Sequence, residues 1–83
     1  MIESDVFRAL ADPTRRAVYQ RLAGAEMSVS DLRDNMPVSQ PAISQHLGVL
    51  RAAGLVTERR EGRFAYSRAA PQGLSPLPSW IDR

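Results

Sequence analysis

Apolar positions recur at helical spacing through the first half of the chain and alternate with polar ones after Gly54, so helices should come first and strands last. From Glu3 to Ala11 the spacing predicts a short helix, with Phe7 and Leu10 turned to a core and Ile2 and Val6 on an adjoining stripe. Asp12 and Pro13 then read as an N-cap and first-turn pair opening a second helix, which runs to Ala23 before Gly24 and buries Ala17, Val18 and Leu22. Thr14, Arg15 and Arg16 in its first turn fit either a phosphate contact or a salt-bridged surface turn. A third helix is expected from Val29 to about Met36, with Ser28 and Asp31 spaced as a capping box, Leu32 and Met36 buried, and Pro37 as its stop.

The stretch from Met36 to Gly54, MPVSQPAISQHLGVLRAAG, is the most informative. Ser39 is an N-cap candidate, the helix should begin at Gln40, and Pro41 falls where backbone donors have no partner to lose. Gly54 stands where a C′ residue takes positive φ, and Arg51 complements the negative end of the helix dipole. Wrapped at about 100° per residue, Ile43, Leu47 and Leu50 form one face, and Pro41, Ser44, Gln45 and Gly48 the other. That second face is small, polar and uncharged. Such a face lets a partner come close, and glutamine suits the adenine edge in the major groove of B-DNA. The same pattern also fits a solvated helix with a small polar face. After Gly54, LVTERREGRFAYSRA places β-branched and aromatic residues on both sides of Glu61-Gly62-Arg63, which predicts a hairpin. Arg59, Arg60 and Arg63 lie near its tip and Arg68 at its far end. A basic hairpin directly after a polar-faced helix is a wing that can lie on phosphates or in the minor groove.

Composition narrows the options. Eighty-three residues, 43% of them apolar, allow one domain with a modest core. The net charge is only +2, but its distribution is uneven: residues 1–34 hold five Arg against six acids, and residues 35–70 hold five against two. All eleven basic residues are arginine, the cation suited to bidentate phosphate and guanine contacts. With no cysteine there is no thiolate metal site, thiol catalysis or disulfide framework. No Gly-rich phosphate loop and no nucleophile with a base beside it are present, so no enzyme is expected and no cofactor. The acidic start, MIESDVFRAL, and the lack of a long apolar run lead to the expectation of a cytoplasmic protein without a membrane partner.

Four stretches, FRALADPTRRAVYQRL, SVSDL, PVSQPAISQHLGVLRAAGLV and EGRFAYS, together resemble the ArsR/SmtB family of bacterial winged helix-turn-helix repressors over about Val6 to Tyr66. The resemblance implies a mostly α chain with a small β-hairpin, an α+β winged helix-turn-helix in which four helices precede two strands and a fifth helix follows. It also implies a single domain over residues 1–83 and a homodimer on a partly palindromic double-stranded DNA operator. Carried over by position, Gln40, Ser44 and Gln45 match residues that face bases, and Ser39 and Arg51 lie beside the backbone. Pro41, Arg59, Arg60 and Arg63 complete the expected DNA-binding set. The family's last helix packs with the first across the dimer interface, which gives Ile2, Val6, Leu77, Trp80 and Ile81 as interface candidates within a helix over residues 72–83; the alternative for that tail is a lid on a monomer's core. Many relatives sense metal through ELCVCDL, where this chain reads EMSVSDL from Glu26 to Leu32. Ser28 and Ser30 replace both thiolates, and a neutral hydroxyl is a poor ligand for soft ions. One histidine, His46, makes no metal site and is expected to have a structural or phosphate-contacting role. The residues name no inducing signal. A winged-helix module that binds another protein through the same polar face remains the second reading.

Overall fold

The computed structural model describes residues 2–70, with side chains from Asp5 onward. The expected helix over residues 72–83, with Leu77, Trp80 and Ile81, and the side chain of Ile2 lie outside the described residues.

The elements are α1 (Ile2–Ala9), α2 (Pro13–Gly24), β1 (Met27–Ser28), α3 (Val29–Asp34), α4 (Gln40–Ala52), β2 (Val56–Glu61) and β3 (Phe64–Ala69). The architecture is mixed α+β with one three-stranded antiparallel sheet, in the order β1-β3-β2. Val18, Leu22, Leu32, Ile43, Leu47, Leu50, Leu55 and Val56 form the core between helices and sheet.

Local chemistry explains most boundaries. The Asp12 carboxylate accepts from the backbone N–H of Thr14 at 2.8 Å and of Arg15 at 3.1 Å, starting α2. Its pKa lies below the ordinary value of 3.8, chiefly because the Arg15 N–H stabilises the charged form. A folded-state pKa below the unfolded one supplies stability that is present above the unfolded value and lost as pH falls through the folded value. Asp12→Asn keeps a capping oxygen but cannot titrate. Thermal unfolding followed by circular dichroism should therefore show a near-native midpoint at pH 7 and a shallower loss below about pH 4 than in the parent.

The capping box forms as expected, with Ser28 Oγ accepting from Asp31 N at 3.2 Å and Asp31 Oδ2 accepting from Ser28 N at 3.0 Å. The helix it opens stops at Asp34, short of Met36, because the Asn35 side chain turns back to donate to the Asp31 carbonyl while its N–H bonds to Leu32. At the end of α4, the Leu55 N–H reaches the Leu50 carbonyl and the Gly54 N–H reaches that of Arg51, the paired bonds of a Schellman motif. Gly54 takes φ +77° there, as that turn requires.

Two expectations are corrected. Phe7 is 74% exposed, and α1 instead buries Val6 and Ala9, one turn apart, with Leu10 partly covered. Val6 is therefore a residue of the chain's own core, which accounts for its apolar character without a second subunit. Tyr19 joins Val18 and Leu22 in the core while Ala17 is only half-buried. The expected hairpin forms, β2 pairing with β3 from Val56–Ala69 to Glu61–Phe64, and Met27 and Ser28 pair with Ser67 and Tyr66 to add a short third strand.

Candidate nucleic-acid interface

Helix α4 sets the interface. Ser39 Oγ accepts from the Ala42 N–H at 3.3 Å, fixing the first turn, and Pro41 sits within that turn where its missing donor costs nothing. Ile43, Leu47 and Leu50 are buried, which orients the remainder of the helix. Gln40, Pro41, Ser44 and Gln45 are exposed and Gly48 is half-buried, so the small uncharged face predicted from spacing is open to solvent. Among the described residues, neither Ser44 nor Gln45 has an intramolecular side-chain hydrogen bond. Both are left with donors and acceptors for an external partner.

Arginines sit around this face in different states. Arg33, at the end of α3, donates to Gln40 Oε1 at 3.4 Å, placing a cation beside the first residue of α4. Sequence reasoning missed it, because helical spacing within α3 marks Arg33 only as exposed. Arg51 lies 3.8 Å from Glu58 across the junction of helix and wing. Arg15 and Arg16 prove to belong to a local turn: Arg15 is 3.7 Å from the Asp12 carboxylate and Arg16 donates to the Leu10 carbonyl at 2.7 Å. His46 is half-buried on α4.

The wing turns at Gly62 and Arg63, and φ is positive only at the glycine, the arrangement of a type II′ hairpin. Successive residues on a strand face opposite ways, so Arg59 and Arg60 lie on different sides of the ribbon. Arg60 shares its side with Val56, which enters the core, and with Glu58, which pairs with α4. That is the side of α4. Arg60 and Arg63 are exposed and have no ion-pair partner among the described residues. Arg59 is different: it donates to both oxygens of Glu26, at 2.9 and 3.1 Å, and to Glu61 at 2.8 Å, and it lies 5.0 Å from the ring centroid of Tyr66. The hydrogen bond from Arg59 holds the Glu26 carboxyl below its usual pKa, and the two carboxylates raise that of Arg59.

Residues 10–59 match the model of a helix-turn-helix domain. The chain is 46% identical over 77 residues to the HTH-type transcriptional regulator Rv2034 of Mycobacterium tuberculosis, covering 93% of this chain and 72% of that protein. It is 38% identical over 78 residues to the transcriptional repressor SdpR of Bacillus subtilis, covering 94% of this chain and 87% of the repressor. The solved structure of an ArsR-like transcriptional regulator from Rhodococcus sp. RHA1 superposes with a TM-score of 0.81 at 40% identity, over 87% of this chain and 68% of that one. This chain belongs to the ArsR/SmtB family. Members of that family are DNA-binding transcriptional regulators and not enzymes. Among the described residues, no helix is long and apolar enough to cross a membrane.

Proposed function

We propose that the chain is a sequence-specific repressor that binds a partly palindromic operator as a homodimer, with α4 in the major groove and the wing on the adjoining backbone or minor groove. The observation that carries this reading is the solvent-open, uncharged face of α4, formed by Pro41, Ser44 and Gln45 and flanked by Gln40. Major-groove readout needs side chains that approach base edges with free donors and acceptors; Ser44 and Gln45 supply these, and the small Pro41 beside them leaves room for the approach. Ser39, Arg51, Arg60 and Arg63 surround them with groups suited to phosphate. The exposed Phe7 on α1 supports a second subunit, since a large apolar side chain in water favours a covering partner. Ser28 supports a regulator that does not sense metal through the α3 motif, because its hydroxyl is already engaged in capping. The signal that relieves repression is then something other than a thiolate-bound ion.

Fluorescence anisotropy with duplex DNA from upstream of the chain's own gene tests the proposal. Binding should be nanomolar, with half-sites about one helical turn apart and affinity at least about 10³-fold above that for a scrambled duplex. It should weaken steeply with added salt as counterions are released. Equal affinity for operator and scrambled DNA would overturn it.

A further inference from the structure

The wing is a three-stranded sheet only near its base. β1 contributes two residues, pairing Met27 with Ser67 and Ser28 with Tyr66, and beyond that point β2 and β3 continue alone to the Gly62 turn. A two-stranded ribbon in water is marginal and twists readily, so something must fix the direction in which it leaves the sheet. Arg59 pairs in register with Tyr66, at the last row where all three strands are present. From there its guanidinium reaches Glu26, at the exit of α2 and 33 positions earlier in the chain, through both carboxylate oxygens. The same group holds Glu61, next to the turn, and lies over the Tyr66 ring, which has Phe64 6.4 Å away, centroid to centroid, on the outer side.

We propose that Arg59 is a positioning residue of the wing and not a phosphate contact: its tie to Glu26 sets the angle of the ribbon, and so where Arg60 and Arg63 stand relative to α4. This rests on the DNA-binding reading above. A lone exposed ion pair contributes little, but a fork that satisfies both oxygens of one carboxylate, holds a second and covers an aromatic ring has its geometry fixed several times over. It also explains why the three arginines near the wing's tip, alike in sequence, differ in the structure. Arg59 has its charge met within the chain and lies on the side away from α4, whereas Arg60 and Arg63 keep theirs for an outside anion.

The test turns on a sign. Removing an acid from a DNA-binding surface ordinarily strengthens binding, yet Glu26→Gln should weaken operator binding about fivefold, because it loosens the wing. Arg59→Ala should do the same while leaving the slope of log affinity against log salt unchanged, whereas Arg60→Ala or Arg63→Ala should lower that slope by about one. In the DNA-free protein, ¹⁵N relaxation of the Gly62, Arg63 and Phe64 amides should report greater mobility in both single variants.

A slope lowered by about one in Arg59→Ala, together with unchanged or tighter binding by Glu26→Gln, would show that Arg59 grips a phosphate and overturn the proposal. Unchanged amide relaxation in both variants would overturn it as well. If the parent protein itself fails to prefer operator over scrambled duplex, the DNA-binding reading falls and the effect on affinity with it. The amide relaxation then still decides whether the tie exists.

Discussion

Leu50→Ala should cost about 3 kcal/mol and lower the thermal midpoint by roughly 12–24 °C. Leu50 is fully buried, in a core shared by α2, α3, α4 and the sheet. Truncation removes its methyl groups and leaves a cavity that the rest of the core fills only by moving backbone. The site is also mechanical. The Leu50 carbonyl receives the Leu55 N–H in the turn that sends the chain from α4 into the wing, and Leu55 in turn accepts from Ala70 at the end of β3. A shift at Leu50 therefore reaches α4 and the wing together. Small domains have about 5–10 kcal/mol in total, so one such loss is a large fraction of the whole. Val49→Ala, one residue earlier and 37% exposed, is the control and should cost less than about 1 kcal/mol. Urea and thermal melts by circular dichroism decide it, and a midpoint change of only a few degrees in Leu50→Ala would mean that this core collapses around the gap.

What could be read from the chain alone was what nearby residues decide among themselves. Ser39, Asp12 and the Ser28–Asp31 pair each act within three residues, and all three caps form. Gly54 and the buried triplet of α4 follow from spacing within one helix, so the outer face of α4 was legible before any fold was known. Residues whose role depends on distant chain were not. Phe7 and Val6 are adjacent apolar positions on a short helix, and only the placement of the rest of the core decides that Val6 goes in and Phe7 stays out. β1 is two residues long, too short for any alternation to show, and exists because β3 comes to lie beside it. Arg59 looked like its neighbour Arg60 because both are arginines at a ribbon tip. The difference is Glu26, which no local pattern connects to position 59.

Replacing Ser44 and Gln45 together by alanine should lower operator affinity by about 10- to 100-fold while leaving affinity for scrambled DNA almost unchanged, since a well-placed bidentate contact to a base discriminates by about 1–3 kcal/mol. Three features of the site make the result specific. Both side chains are exposed on the mid-helix face of α4, and alanine is the better helix former, so the fold and its thermal midpoint should hold. Neither carries charge, so the salt slope set by Arg60, Arg63 and their neighbours should stay as it was. And neither has an internal hydrogen bond among the described residues, so no buried group is orphaned by the change. Lost discrimination with an intact salt slope is then the signature of removed base readout, and it separates that cause from weakened phosphate contact, which lowers the slope, and from unfolding, which lowers both affinities. If instead the double variant keeps full preference for operator, base recognition lies elsewhere on the chain. The open polar face of α4 would then serve a protein partner, and a binding loss confined to that partner would establish the protein-interaction reading in place of the repressor.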